Sequence, residues 1–135
     1  MKNLLIDTNI IIDLLAKRED FYQEVQELFT LADENEVNLY ISSLTFANTH
    51  YVLSKELNAD ETRKVLIKFK LLMKILPLDD RILELALSSD FKDFEDGIQY
   101  YTALENKLEI IITRNKKDFK TAKLPVLTAK EYLNR

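Results

Sequence analysis

The stretch LLIDTNIIIDLL, Leu4 to Leu15, constrains the fold more than any other part of the chain. Aliphatic side chains fill it except at Asp7, Thr8, Asn9 and Asp13. The run from Lys2 to Ile6, ended by an acid, reads as a parallel strand covered on both faces, which has no need to alternate polar and apolar residues. Beyond Asp7 the pattern is helical to about Lys17, with Thr8 or Asn9 able to cap it. A buried strand passing directly into a helix is the opening of a crossover unit, the connection that parallel strands require.

The alternation continues to the end of the chain. Phe21, Val25, Leu28, Phe29 and Ala32 repeat at helical spacing over residues 20–35. Leu39-Tyr40-Ile41 is a short strand, and Ser42 or Ser43 caps a helix whose buried stripe reads Leu44, Ala47, Tyr51, Val52. Asp60 opens a helix with Val65, Leu66, Phe69, Leu72 and Met73 inward, followed by a strand at 74–78 and a helix from Asp79 or Asp80 to about Ser88. Asp93 caps a helix running to about Asn106, Glu109 to Thr113 is a strand, and residues 115–119 make a helical turn. A strand near Val126 and a helix at 128–134 close the chain. The expected fold is a single domain, 1–135, of three-layer α/β/α architecture with a central, mostly parallel sheet of about four to five short strands.

A single glycine and two prolines fit continuous elements with short connections. There is no cysteine, hence no disulfide and no thiolate zinc site, and a cytoplasmic setting is the expectation. No apolar run reaches the roughly 18 residues of a membrane span, so no membrane partner is expected. The net charge of −4 is unevenly spread. Seven acids and one base lie between Arg18 and Glu36, whereas five bases and no acid lie between Arg63 and Lys74. Five more bases, Arg114, Lys116, Lys117, Lys120 and Lys123, stand against Asp118 alone. An acidic molecule of this kind still has basic surface to offer a polyanion.

Ligands of parallel α/β sheets bind at the carboxyl ends of the strands. Asp7 ends the first strand, Asp93, Glu95 and Asp96 open the helix before the fourth, and Thr113-Arg114-Asn115 with Asp118 follow the fourth. Asn48 falls on the inward stripe of its helix, and a buried amide needs partners. Carboxylates gathered without lysine or histidine repel one another, which a divalent cation resolves; oxygen ligands alone select Mg²⁺ or Mn²⁺. Such an ion, holding phosphate oxygens and water, is equipment for phosphodiester hydrolysis. Plainer roles stand beside these. Asp93 and Asp96 also suit a helix N-terminus, His50 suits a helix face, and Asp13 is a weaker acid candidate.

At these residues the chain resembles the PIN domain family, small metal-dependent ribonucleases that include the VapC-type toxins of bacterial toxin–antitoxin pairs. The resemblance spans essentially the full chain and is carried by LLIDTNIIIDLL, SSLTFANTHYVL, DFEDGIQYYTALENK and EIIITRNKKDF. It implies that Asp7 and Asp96 are catalytic metal-binding acids, with Asp93 or Glu95 as helpers and Thr8, Asn9 and Thr113 bracing them. It also implies an RNA substrate, a small antitoxin protein as inhibitor, and a homodimer; the basic side chains of Arg114, Lys116 and Lys117 are expected to hold the RNA backbone. The family places Glu where Asn48 stands and often Asp where Asn115 stands, so the expected metal shell is Asp7, Asp96, Asn48 and either Asn115 or Asp118. Those two departures leave an alternative: a catalytically decayed PIN domain that binds RNA or protein. Haloacid-dehalogenase phosphatases fit less well, since Asp7-Thr8-Asn9 lacks their second aspartate. Response-regulator receivers fit poorly too, because the third strand ends at Pro77-Leu78. No glycine-rich phosphate loop is present.

Overall fold

In the computed structural model, which describes residues 1–135, the middle layer is a five-stranded sheet. Its strands are β1 (Lys2–Ile6), β2 (Val37–Ser42), β3 (Lys74–Leu76), β4 (Ile110–Ile112) and β5 (Val126–Leu127). They lie in the order β3-β2-β1-β4-β5, and every neighbouring pair is parallel. The connections are helical: α1 (Thr8–Leu15), α2 (Tyr22–Asp33), α3 (Ser43–Leu53), α4 (Ala59–Phe69), α5 (Asp80–Leu87) and α6 (Phe94–Glu105). After β5 the chain ends in α7 (Ala129–Leu133). The three-layer α/β/α architecture expected from the alternation is the one found.

The pleat explains why the strands read as unbroken aliphatic runs. Leu4 and Ile6 point to one face, against Ile10, Ile11, Val25 and Leu28 of α1 and α2. Leu5 and Ile111 point to the other, against Tyr100 and Ala103 of α6. Leu4, Leu5, Ile6, Ile111 and Ile112 have no exposed surface, and burying each side chain contributes about 2 kcal/mol. No helix is long and apolar enough to cross a membrane.

Local details depart from the sequence reading. Asp7 itself caps α1, its Oδ1 accepting from Thr8 N at 2.8 Å. Asn58, not Asp60, caps α4, with Oδ1 accepting from Glu61 N at 2.8 Å. The buried row of α3 is Thr45, Thr49 and Leu53; Ala47 is exposed and Tyr51 is 62% exposed. Leu72, expected inward, is 38% exposed because the chain tightens into a 3-10 turn at Lys70–Leu72, which rotates its side chains off the α4 row.

With its one glycine placed elsewhere, the chain closes three helices on residues with left-handed backbone: Lys17 (φ 51°), Asn35 (φ 59°) and Lys107 (φ 57°). Asparagine tolerates this conformation better than lysine does. Lys107→Gly is therefore expected to raise stability by up to about 1 kcal/mol, measured by urea unfolding. A decrease would mean that contacts of the Lys107 side chain outweigh its backbone strain.

The strand order also locates the functional edge. From β1 the chain steps outward through β2 to β3, then returns across β1 to lay down β4 and β5 on the far side. The order reverses between β1 and β4, so a crevice opens at their carboxyl ends.

Candidate active site

Asp7 leaves β1 at that crevice, and its backbone N donates to Ile112 O at 3.0 Å, tying it to the end of β4. Its carboxylate is 7% exposed. Oδ1 accepts from Thr8 N at 2.8 Å, while Oδ2 accepts from Thr113 Oγ1 at 2.8 Å and Asn9 Nδ2 at 3.4 Å. Asn9 also donates to Thr113 Oγ1 (3.3 Å) and accepts Arg114 N on Oδ1 (3.3 Å). Asn115 N donates to Thr113 Oγ1 at 3.1 Å. The turn after β1 and the loop after β4 are thus joined around one carboxylate. Burial pushes the Asp7 carboxyl above its usual range; the bonds from Thr113 and Thr8 oppose the shift, and Asp118 and Asp93 add to it.

The second acid comes from α6. Asp93 is its N-cap, with Oδ1 accepting from Glu95 N (2.8 Å) and Asp96 N (3.2 Å). That cap fixes the first turn, which carries Asp96. Gly97 follows at a place where a Cβ would lie 3.3 Å from Ser89 Oγ and 3.4 Å from Ala86 Cβ, so glycine lets α6 approach α5 closely. Asp96 makes no hydrogen bond through its side chain. Partial burial, and then Asp93, Asp7, Asp118 and Glu95, push its carboxyl up to about 7.

Asp7, Thr8, Asn9, Asp96, Asn115 and Asp118 line a common cleft of about 270 Å³. A basin of about 260 Å³ adjoins it through Asp96 and Asp118 and adds Asp93 with Lys92, Lys117 and Lys120. Lys116 is turned aside to pair with Glu131 Oε2 at 3.0 Å. Arg114 also borders the cleft, but its Nε bonds Asp13 Oδ2 at 2.7 Å and its guanidinium lies 4.3 Å from the Phe21 ring centre. It is first of all the counter-charge of a fully buried acid.

Asn48 stands apart from these residues. It is half-buried on α3, makes no side-chain hydrogen bond and lies outside the cleft lining. The row of α3 that meets the site is the one through Thr45, whose Oγ1 lies 2.9 Å from Thr8 Oγ1. Sequence reasoning missed Gln99, buried in the cleft wall with Nε2 donating to Thr45 Oγ1 at 2.7 Å. The available signal was a polar residue three positions after Asp96 on an otherwise apolar helix face. No three acidic side chains stand close enough together to form a ready-made ion cage. A larger hollow of about 540 Å³ shares Arg114 and Asn115 with the cleft. Its one buried acid, Asp13, is already paired with Arg114, so the chemistry belongs to the smaller cleft.

This chain is similar to known proteins over nearly its whole length. Ribonuclease VapC1 of Aquifex aeolicus (strain VF5) is 27% identical over 142 residues, covering 99% of this chain and 95% of that protein. A toxin–antitoxin complex from Klebsiella pneumoniae contains a chain 30% identical, with TM-score 0.69 over 93% of this chain and 97% of the other. VapBC2 from Rickettsia felis, bound to a DNA fragment from its promoter, shares the fold at 21% identity and TM-score 0.70, covering 93% and 96% of the two chains. The PIN domain model matches residues 3–117, and the chain belongs to the PIN domain family.

Proposed function

We propose that the chain is a metal-dependent endoribonuclease that hydrolyses RNA phosphodiester bonds as the toxin of a toxin–antitoxin pair. The observation that carries the reading is the carboxylate of Asp7, held by Thr8, Asn9 and Thr113 in the same cleft as the unbonded carboxylate of Asp96. Two acids in a partly dry cleft without a cation repel each other. The donors available there include oxygens from Asp7, Glu95, Asp96, Asn115 and Asp118, with no thiolate or imidazole among them. That set fits Mg²⁺ or Mn²⁺. When bound, such an ion supplies Lewis acidity to a water molecule and to a phosphodiester oxygen.

The protein's own part is positional. The hydrogen bonds to Asp7 fix its orientation before substrate arrives, and the Asp93 cap holds Asp96 across from it. Lys92, Lys117 and Lys120 rim the adjoining basin and supply a track for the RNA backbone. A cytoplasmic setting is part of this reading and is compatible with the lack of any membrane-spanning helix. The relatives described as toxin–antitoxin complexes support a small antitoxin as partner. The exposed Ile67 and Leu71 on and beyond α4 give a second copy apolar surface to meet in a homodimer.

The absence of a three-acid cage and the position of Asn48 favour a second reading, an RNA-binding PIN domain without catalysis. One pair of measurements separates them. Millimolar Mn²⁺ is expected to raise the melting temperature of the protein, since an ion that binds only the folded state stabilises it by mass action. Purified protein should then cut total RNA with Mg²⁺ or Mn²⁺ and leave it intact in EDTA. RNA binding without cleavage or metal stabilisation would decide for the second reading.

A further inference from the structure

Gln99 is 2% exposed, yet it forms part of the cleft wall beside Asp7 and Asp96. Its amide nitrogen is committed: Nε2 donates to Thr45 Oγ1 at 2.7 Å. Thr45 Oγ1 also accepts from Ser42 Oγ at 3.2 Å and lies 2.9 Å from Thr8 Oγ1. A hydroxyl has one proton and two lone pairs. With donors arriving from Ser42 and Gln99, the Thr45 proton is free to go to Thr8. With Nε2 on Thr45, the carbonyl oxygen lies on the other side of the amide. Oε1 is buried and has no hydrogen-bond partner.

We infer that Gln99 Oε1 is a neutral oxygen ligand for the divalent cation of this cleft, an inference that rests on the metal-dependent reading above. Gln99 stands one helical turn after Asp96 on α6, so the two side chains share a face. The nitrogen alone would suffice to tie α6 to α3, and a leucine would pack without an orphan acceptor. What the amide adds is an unpartnered oxygen on a residue that lines the cleft. Asp7 and Asp96 already repel each other, and a further carboxylate would increase that repulsion. An amide carbonyl gives a hard cation an electron pair without adding charge. It also sits where the site otherwise lacks an α3 donor, since Asn48 stays out of the cleft.

The test is a Mn²⁺ titration of the full chain by calorimetry and thermal shift, comparing wild type with Gln99→Leu, Gln99→Glu and Asp96→Asn. Gln99→Leu should weaken Mn²⁺ binding about 10- to 100-fold while its melting temperature in EDTA does not fall. Gln99→Glu should keep or tighten Mn²⁺ binding and lower the melting temperature in EDTA, so the oxygen's role is read even where the leucine variant folds poorly. Mg²⁺ saturation of wild type should also shift the side-chain carbonyl ¹³C resonance of Gln99, which a purely structural amide would not show. Unchanged Mn²⁺ affinity in Gln99→Leu, or an unmoved carbonyl resonance, would overturn the inference. If Asp96→Asn still loses binding in that case, the metal-dependent reading survives it. A wild-type protein that binds no Mn²⁺ would overturn both.

Discussion

Asp96→Asn is expected to abolish RNA cleavage and, in EDTA, to give a more stable protein than the wild type. Loss of a carboxylate that serves the cation directly should cost at least about 100-fold in cleavage rate, since even outer-shell partners of metal sites cost 10- to 100-fold. The gain in stability has a separate cause. Asp96 makes no side-chain hydrogen bond that asparagine would break, and its carboxyl is pushed up to about 7 by burial and by four neighbouring acids. The folded state therefore holds this proton more tightly than the unfolded chain, whose carboxyl titrates near 3.8. The corresponding stability is fully present below the unfolded value and is lost as pH rises through about 7. Asp7 shifts in the same direction. Metal-free wild type should thus lose melting temperature between about pH 4 and pH 8, and Asp96→Asn should flatten that slope. Adding Mn²⁺ should reverse the order, because only the wild type gains strongly from the ion. Near-normal cleavage by the variant would remove Asp96 from the reaction. An equal or lower melting temperature in EDTA would show that its charge is not strained.

The largest purely structural effect is expected from Arg114→Ala, a loss of about 3 kcal/mol in chemical denaturation. Asp13 on α1 has no exposed surface, and its Oδ2 bonds Arg114 Nε at 2.7 Å. The remaining cation, Arg18, stands 4.0 Å from Oδ1, which has no hydrogen-bond partner. Burial already raises the Asp13 carboxyl, and Arg114 is the main opposing influence. Without the guanidinium the acid must be either charged and nearly unpaired or protonated, and both are costly. Packing is lost as well, because the guanidinium covers the Phe21 ring. The double variant Asp13→Leu with Arg114→Met should recover most of the loss, as replacing both members of a buried pair by apolar groups is often nearly neutral. A loss below about 1 kcal/mol in the single variant would mean that the pair behaves like a surface contact.

Much of this molecule was legible along the chain. Leu4–Ile6 and Ile110–Ile112 announced themselves as buried strands because both faces of the sheet are covered and every one of these positions is aliphatic. Asp7, Thr8, Asn9 and Thr113 were marked by being polar at the ends of those strands, and the fold joins them in one hydrogen-bonded knot. Asp96 was marked by its place at a helix start. These signals are local: strand, turn and helix N-terminus are each decided by a few consecutive residues.

The rotation of a helix against the sheet is not local. Asn48 stands one turn after Thr45 on α3, and spacing alone does not say which of the two meets the site. Packing against the rest of the core selected Thr45, Thr49 and Leu53, so Thr45 became the hub of the site and Asn48 was left outside it. The same choice on α6 brought Gln99 into the cleft beside Asp96. Asp13 found Arg114 across 101 residues of sequence, turning an expected RNA contact into the support of a buried acid. The amino-acid order determined the elements and the acids at the strand ends. Which helical rows face them, and which charges must neutralise one another, was decided only when the two faces of the sheet were packed.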